Sequence, residues 1–426
     1  MKNFAISLCF IVLFASAQAQ PPVDSAYVAN NGGTTVSVID IDTNPPTVTG
    51  TSPVTVGNNP FAVAVTPNGN FVYVTNITDN TVSVFDTATN TVAPSIGVGR
   101  APIAIAITPN GTKAYVVNSV DETVSVINTS SNLVVATIPV GLDPLAIAIT
   151  PDGTRAYVVN SETSNNVFVI NTATDTVIGP PIPVGHRPEG IAIGITSNGV
   201  YAYVTNTDSN TVSVINTANN TVVNTILGFV SQSPVGVAIT PNGNNAYVAN
   251  SGDKSVSVIF TATNAVTSLI AVGTMPEGIA ITPDGGHVYV TNNVSNSVSV
   301  IDTSTNTVTA TISAGIGSAP QGIAFALSPT HPPINILSPP TNLTGQQKKN
   351  DFGLIFELFN LLKWKASPSA VAGYFVYRDG IKIATVNAST LKYEDHDRKK
   401  GVSTFYSVTA VDANGFESPV INVEVQ

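Results

Sequence analysis

Cysteine is almost missing from this chain. The only one, Cys9, lies within the first twenty of 426 residues, so the rest of the chain has no thiol. A disulfide framework and a cysteine-ligated metal site both need several cysteines, and both are therefore excluded beyond that segment. The fold has to rest on its apolar core and its backbone hydrogen bonds.

Long apolar runs are also scarce. Residues 4–15 form a mainly apolar run that is followed by small residues up to Ala19. The run is shorter than the roughly 20 residues that cross a bilayer, and small residues at its end suit cleavage by signal peptidase. We expect a signal peptide over residues 1–19, a mature chain that begins at Gln20, no transmembrane segment, and export to the periplasm, the cell surface or the medium.

Charge is scarce too. Charged residues make up 10% of the chain, against about 25% of an average soluble domain. Residues 20–327 contain five Lys or Arg and 17 Asp or Glu, a net charge of −12. Because phosphate binding needs a basic stripe, we expect no nucleic-acid partner. Asn, Thr, Ser and Gly carry the surface instead, and this composition is typical of short strands joined by tight turns.

Known catalytic motifs are absent. The sequence has no His-Glu-x-x-His, no nucleophile elbow and no phosphate loop, and metal-ligand spacing is not found around His186, His287, His331 or His396. Residues 40–44 partly match a calcium loop but lack its Gly and distal Glu, so a turn that bonds its own backbone is the simpler interpretation. We therefore expect no catalytic residue, no metal and no cofactor.

A repeat fills most of the chain. The motif Tyr-Val-x-Asn recurs seven times at intervals of 42 to 46 residues, beginning at Tyr27, Tyr73, Tyr115, Tyr157, Tyr203, Tyr247 and Tyr289. Each unit reads as four short strands joined by turns, and a unit of that length is typical of a propeller blade. Because a position that every blade must fill recurs in this way, we expect the tyrosines to pack between blades and the Asn residues to bond the following turn.

The two ends of the array complete each other. The unit at Tyr27 lacks a preceding Ile-Ala strand, whereas residues 321–325 form such a strand with no Tyr-Val partner after it. We expect these remnants to pair and to close the ring, because an open array would leave exposed strand edges. In the fourth unit, residues 191–196 carry two extra residues, which lengthens the strand without reversing its faces.

These motifs resemble the YVTN β-propeller repeat family of surface-layer-type proteins. The resemblance rests on Val-Gly-x-x-Pro-x-x-Ala-Ile-Thr-Pro-Asp-Gly and Thr-Val-Ser-Val-Ile-Asp-Thr, and it implies an all-β, seven-bladed β-propeller of four-stranded blades over residues 20–327. Related propellers serve as surface and adhesion proteins, as binding modules and occasionally as lactonases, so the resemblance implies a fold more firmly than a function.

A second domain is expected after the array. Residues 328–426 contain ten Lys or Arg and nine Asp or Glu, a net charge of +1, and a Pro-rich linker over 328–338 separates the two compositions. Residues 339–426 resemble a fibronectin type III domain, an immunoglobulin-like β-sandwich, through Trp364 and the Tyr374 strand. For residues 346–360 the sequence favours a short helix and an extended strand equally.

The most charged group of the propeller lies at residues 186–190, on the loop that enters the fourth innermost strand, and single charged residues occupy equivalent loops. In propellers these loops converge on one face around the central channel. These candidate ligand-rim residues are Arg100, Asp143, His186, Arg187, Glu189 and Glu277. A lactonase-like site needs a cation for the carbonyl oxygen and a base for water, which Arg187 with His186 or Glu189 can supply. Charged residues at variable loop positions are more often simply solvated.

Three functions follow. The first is a secreted or cell-surface noncatalytic interaction protein that binds a protein or a glycan at the propeller face. The second is a lactonase-like hydrolase, and the third is a periplasmic scaffold for a small ligand. The signal peptide and the lack of catalytic motifs favour the first.

Overall fold

The computed structural model of the protein describes most of the chain. The described residues are 24–50, 52–161, 163–227, 233–326 and 340–425, the last with gaps at 352–355, 368–370, 380, 397, 401, 412–417 and 419–420. The signal peptide predicted over 1–19 and the linker predicted over 328–338 lie outside these residues.

The described residues form strands and turns only. Runs such as Thr-Val-Ser-Val-Ile are β-branched at nearly every position and fit the pleated surface of a sheet. In the described part of the chain no helix is found, and hence none that is long and apolar enough to cross a membrane.

Six consecutive four-stranded antiparallel sheets follow the repeats, each ordered as its strands follow in the chain. The first three consist of β5 (Pro60–Val65), β6 (Phe71–Asn76), β7 (Thr81–Asp86) and β8 (Ile96–Gly97); β9 (Pro102–Ile107), β10 (Lys113–Asn118), β11 (Thr123–Asn128) and β12 (Leu133–Pro139); and β13 (Pro144–Ile149), β14 (Arg155–Asn160), β15 (Asn166–Asn171) and β16 (Thr176–Pro183). The next three consist of β17 (Pro188–Thr196), β18 (Gly199–Asn206), β19 (Thr211–Asn216) and β20 (Thr221–Leu227); β21 (Pro234–Ile239), β22 (Asn245–Asn250), β23 (Ser255–Phe260) and β24 (Ala265–Ala271); and β25 (Pro276–Ile281), β26 (His287–Asn292), β27 (Ser297–Asp302) and β28 (Thr307–Ile312). The innermost strand of the fourth unit, β17, has nine residues where β13 has six, so it is lengthened as the insertion predicts.

A further sheet joins the two ends of the array. It contains β29 (Pro320–Ala326), β1 (Ser25–Asn30), β2 (Thr35–Asp40) and β3 (Thr47–Val48), and β4 (Val54–Thr55) also pairs with β2. The predicted pairing of the two remnants is present, because β1 and β29 are antiparallel with Ser25 opposite Ala326 and Tyr27 opposite Ala324. The innermost strands β5, β9, β13, β17, β21, β25 and β29 contact one another in a closed cycle. The region is therefore an all-β propeller.

The repeated tyrosines lie between neighbouring sheets. All seven are at most 2% exposed. Tyr73 of β6, for example, packs with Ile105, Ala114 and Val116 of the next sheet. The recurring position thus fills the space between two sheets that both have apolar faces.

The repeated asparagines bond a strand, whereas the sequence predicted that they bond the turn. The Asn76 Nδ2 atom donates to Thr81 Oγ1 at 3.0 Å and to Ser83 Oγ at 2.9 Å, both on the following strand β7. The Asn118 side chain bonds Thr123 and Ser125 in the same way. The reason is burial: Asn at the end of the second strand points into the sheet, where the hydroxyls of Thr-Val-Ser are its nearest partners.

Residues 340–425 form two further antiparallel sheets. One contains β30 (Thr341–Asp351), β31 (Phe356–Lys365) and β34 (Lys392–Asp395), and the other contains β33 (Ile381–Asn387), β32 (Gly373–Arg378), β35 (Thr404–Val411) and β36 (Ile421–Val425). Both sheets contribute to one core, in which Trp364 meets Tyr374 edge to face at 5.6 Å. The described residues of 346–360 are strand, so the helical alternative for this segment is wrong.

Candidate functional site

Seven loops surround the start of the innermost strands, and we call them the proline loops. They end at Pro60, Pro102, Pro144, Pro188, Pro234, Pro276 and Pro320. Because each sheet is an antiparallel meander, the turn between its second and third strands lies at the same end of the strands as its proline loop. We call this turn the BC turn, and the turn between the third and fourth strands, at the opposite end, the CD turn.

The residue before each proline adopts a left-handed backbone conformation. Its φ lies between 48° and 64° at Asn59, Ala101, Asp143, Arg187, Ser233, Met275 and Ala319. Such a conformation is uncommon for residues other than glycine and often marks a functional site. Here all seven copies share it, so it belongs to the architecture of the repeat and does not single out one loop.

The fourth proline loop is held from two sides. The backbone N–H of Arg187 donates to Asn165 Oδ1 at 2.8 Å, in the BC turn of the preceding sheet. The backbone N–H of His186 donates to Ser209 Oγ at 2.7 Å, in the BC turn of its own sheet. The loop therefore joins two sheets, and these bonds hold its backbone in place where the His186 and Arg187 side chains begin.

Arg187 is the centre of an acidic cluster. Its Nε atom lies 2.9 Å from Glu189 Oε1, and its Nη1 atom lies 3.6 Å from Asp208 Oδ1. The Arg187 side chain is 55% exposed, so these ion pairs are screened by water and position the guanidinium more than they stabilise the fold. The planar guanidinium remains available to a further carboxylate, carbonyl or hydroxyl group.

An open depression lies beside Arg187, between the sheets of β13 and β17. It has a volume of about 500 Å³, within the usual range for a small-ligand site. Its lining consists of Asp143, Leu145, Asn165, His186, Arg187 and Asp208. Both hydrogen-bond donors and acceptors therefore face it, together with one apolar side chain.

Two half-buried carboxyl groups lie near this depression at the channel mouth. Burial raises the pKa of Glu277 to about 7, the nearby Glu189 carboxylate adds to that rise, and a hydrogen bond from the Ser251 hydroxyl opposes it. Burial also raises the pKa of Glu189, although the Arg187 cation beside it acts in the opposite direction. The raised pKa of Glu277 makes this face sensitive to pH near neutrality.

Side-chain polarity at the channel mouth differs from one sheet to the next. The residue after each loop proline is apolar in three consecutive sheets, at Phe61, Ile103 and Leu145. In the remaining sheets it is Glu189, Val235, Glu277 or Gln321. The next residue is alanine throughout the first group and glycine throughout the second. The glycines are required by close backbone approach, since a Cβ on Gly190 would stand 2.1 Å from the Val235 carbonyl oxygen.

The six predicted rim residues do not form one group. The structure places Asp143, His186 and Arg187 around one depression, links Glu189 to Arg187, and brings Glu277 within electrostatic reach of Glu189. Arg100 stands apart, because its guanidinium and its backbone N–H both bind Asp121 in a BC turn.

Sequence reasoning missed Asn165 and Asp208. Both lie in BC turns, which looked like ordinary polar turns in the sequence. A signal was present, because Asn80, Asn210 and Asn296 occupy the same turn position as Asn165 and their side chains also accept a hydrogen bond from a proline loop. Among the described residues, no group of three or more His, Cys, Asp or Glu side chains is arranged to hold a metal ion.

Comparison with known proteins agrees with this architecture. A family model described as YNCE-like beta-propeller matches residues 67–238 and 234–328. No curated protein matches the sequence.

Several solved structures are similar. A functionally unknown protein from Desulfotomaculum acetoxidans is 20% identical with a TM-score of 0.62, over 71% of this chain and 99% of that chain. A proposed 6-phosphogluconolactonase from Bacteroides uniformis is 16% identical with a TM-score of 0.58, over 71% and 99%. The hydrazine synthase of Kuenenia stuttgartiensis is 25% identical with a TM-score of 0.52, over 57% and 76%. These similarities concern the propeller fold and not a reaction.

Proposed function

Because the chain belongs to the YNCE-like beta-propeller family, we propose that it is an exported, noncatalytic interaction protein that binds a glycan or a protein at its proline-loop end. The observation that carries this proposal is the depression of about 500 Å³ around Arg187, where donors, acceptors and one apolar side chain meet. Such a mixture suits a ligand with many hydroxyl or amide groups.

The domain organisation is part of the proposal. The seven sheets formed by the described residues of 24–326 are seven blades, and the ring is closed where β29 joins β1. The two sheets of residues 340–425 form a fibronectin type III-like sandwich, supported by their common core around Trp364 and Tyr374. A propeller followed by such a sandwich suits an exported protein that attaches to other molecules.

Binding is a better match to the depression than hydrolysis. A lactonase-like mechanism needs a cation that is free to stabilise an oxyanion. The Arg187 guanidinium is already opposed by Glu189 and Asp208, so its field at a substrate oxygen is weakened. Hydrogen bonding to a neutral polar ligand does not require that field.

The binding proposal is tested with the full mature chain on glycan and extracellular-protein arrays. Arg187→Ala is expected to weaken binding about tenfold or more, since it removes a planar donor from the depression. Arg100→Ala is the matched control, because Arg100 lies in an equivalent loop but binds Asp121 outside the depression. Equal loss in both variants, or no loss in either, contradicts the proposed site.

Export is tested separately. Cell fractionation with an antibody should find the protein outside the cytoplasm, and sequencing of its N-terminus should begin at Gln20. A full-length cytoplasmic protein that begins at Met1 would refute export.

The two alternatives have distinct signatures. A hydrolase would open members of a lactone panel, and this activity would fall in Arg187→Ala. The binding proposal instead expects equal background rates for the wild type and the variant. A small-ligand scaffold would bind sugars or amino acids as monomers, which calorimetry distinguishes from binding of polymers.

A further inference from the structure

A hydrogen bond joins neighbouring sheets at the end of the propeller opposite the proline loops. In each case the hydroxyl of a repeated tyrosine donates to a side-chain oxygen in the CD turn of the next sheet. The five pairs are Tyr73 with Asn132 at 2.7 Å, Tyr115 with Asp175 at 2.5 Å, Tyr157 with Asn220 at 2.6 Å, Tyr203 with Asn264 at 2.7 Å and Tyr247 with Asn306 at 2.7 Å. Every acceptor residue has a positive φ between 53° and 58°, so all five adopt the same left-handed conformation in the turn.

In the described part of the chain this bond is not found for Tyr27 or for Tyr289, and the Tyr289 junction, between the sheet of β25 and the ring-closing sheet, also has a different turn. Tyr289 is 2% exposed, and among the described residues its hydroxyl makes no bond to the turn of the ring-closing sheet like the five above. In the sequence, Asn44 takes the place of Asn306, but Pro45 and Pro46 follow it and the turn is longer. The turn has an internal hydrogen bond, in which the Asp42 N–H donates to Asp40 Oδ1 at 2.9 Å.

A cavity of about 410 Å³ is lined by both Tyr289 and Asn44. We call it the seam pocket, and its lining includes Asp24, Asp42, Asp284, His287, Tyr289 and Asp302. Tyr289 lines this cavity, and a tyrosine hydroxyl in such a position normally finds a hydrogen-bond partner. A ligand that enters the pocket can provide the acceptor.

The charged side chains that line the seam pocket are mainly acidic. Four of its lining residues are aspartates and none is Lys or Arg. Backbone N–H groups fix several of these carboxylates: Asp42 accepts from Asp24, Asp284 from Gly286, and Asp302 from Ser304. Fixed negative charge beside a partly enclosed cavity favours a positively charged guest.

We propose that the seam pocket binds a small organic amine that also carries an oxygen acceptor for the Tyr289 hydroxyl. Burial raises the pKa of Tyr289, with the nearby Asp284 and Asp40 carboxylates adding to it, so the hydroxyl stays protonated and acts as a donor. The described residues hold no group of three or more metal-ligating side chains, which favours an organic cation over a metal ion. The pocket is at the opposite end of the strands from the Arg187 depression, so this site is independent of the function proposed above.

The test is calorimetric titration of the mature chain at low ionic strength with glucosamine, ethanolamine and lysinamide. N-acetylglucosamine is the neutral control, because it keeps the oxygen acceptors of glucosamine and lacks its charge. At least one amine is expected to bind and to bind at least tenfold more tightly than the neutral sugar, with affinity that falls as salt is raised. Absence of binding by all three amines overturns the proposal.

Two tyrosine variants separate a ligand role from a structural one. Tyr289→Phe should weaken amine binding about five- to tenfold and leave the melting temperature of the unliganded protein nearly unchanged, because no bond within the described residues is lost. Tyr247→Phe should lower the melting temperature, since it breaks the bond to Asn306. It should leave amine binding unchanged, because Tyr247 does not line the pocket.

A charge variant tests the electrostatic part. Asp284→Asn keeps a side-chain oxygen that can accept from the Gly286 N–H and removes one negative charge, so amine affinity should fall about threefold or more. If Tyr289→Phe and Tyr247→Phe have the same effects as each other, or if Asp284→Asn leaves amine affinity unchanged, the pocket is not the amine site.

Discussion

Gly99 lies directly against the side chain of Asn118, so that a Cβ added to Gly99 would stand 2.6 Å from Asn118 Cγ. The same contact joins Gly57 with Asn76, Gly141 with Asn160, Gly185 with Asn206, Gly273 with Asn292 and Gly317 with Asn30. The Gly of Val-Gly-x-x-Pro and the Asn of Tyr-Val-x-Asn are therefore two sides of one contact. In these six sheets it attaches the proline loop to the strand on which the next BC turn begins.

Replacing this glycine should cost stability. Gly99→Ala forces a methyl group into the Asn118 side chain, which is buried and bonded to Thr123 and Ser125, so we expect a loss of about 1–3 kcal/mol in the free energy of unfolding. Gly97→Ala is the matched control, because nothing lies within 4 Å of a Cβ at that position. Urea denaturation of both variants checks the prediction, and equal stabilities would contradict it.

The stability of the propeller should depend on the protonation of Glu277. Its pKa is raised from 4.5 to about 7 in the folded protein, so between those values the folded state binds more protons than the unfolded state. Stability from this group is present below pH 4.5 and is lost as the pH rises to 7. Glu277→Gln should therefore match the wild type at pH 4.5 and exceed it by about 1–3 kcal/mol at pH 8.

A second variant identifies the cause of that shift. Glu189→Gln removes the negative charge that helps to raise the pKa of Glu277, so the pH at which stability declines should move downward. Denaturation curves between pH 4.5 and 8 measure both effects. A pH profile that is unchanged by either substitution would show that these carboxyls are not buried as described.

The C-terminal sheets contain a buried ionic network around Asp395. Arg378 Nη1 donates to both Asp395 oxygens at 3.0 and 3.1 Å, Tyr406 also donates to Asp395, and Asn360 donates to Tyr406 at 3.0 Å. Asp395→Ala leaves these donors unpaired, so we expect a loss of about 2–4 kcal/mol. Its neighbour Glu394 is exposed, and Glu394→Ala should cost less than about 0.5 kcal/mol. Thermal unfolding compares the two variants.

Closure of the ring should decide whether the propeller folds. A chain from residue 20 to 326 retains β29, whereas a chain from 20 to 319 leaves the β1 edge unpaired. Because an exposed edge strand promotes association, the shorter chain should aggregate and the longer one should be monodisperse in size-exclusion chromatography. Two equally well-behaved chains would show that β29 is dispensable.

The repeated elements were readable from the sequence because their signals are local. Thr-Val-Ser-Val strands, Pro-Asp-Gly turns and the 42- to 46-residue spacing each reflect a preference of a few adjacent residues, and seven copies reinforce one another. The pairing of β1 with β29 was also predictable, since both remnants lacked a partner. The strands over 346–360 were not, because their mixed polar and apolar pattern has no clear period.

The candidate sites depended on positions that only the assembled ring brings together. The sequence placed His186, Arg187 and Glu189 on one loop. Asp208 and Asn165, however, come from turns of two different sheets, and Arg100 binds Asp121 instead of joining the depression. The chain's local sequence determined strands, turns and the order of blades, because these arise from short-range backbone preferences. The tertiary structure alone decided that Glu277 lies near Glu189 and that Tyr289 lines the seam pocket, because charge interaction and burial depend on distance in space and not along the chain.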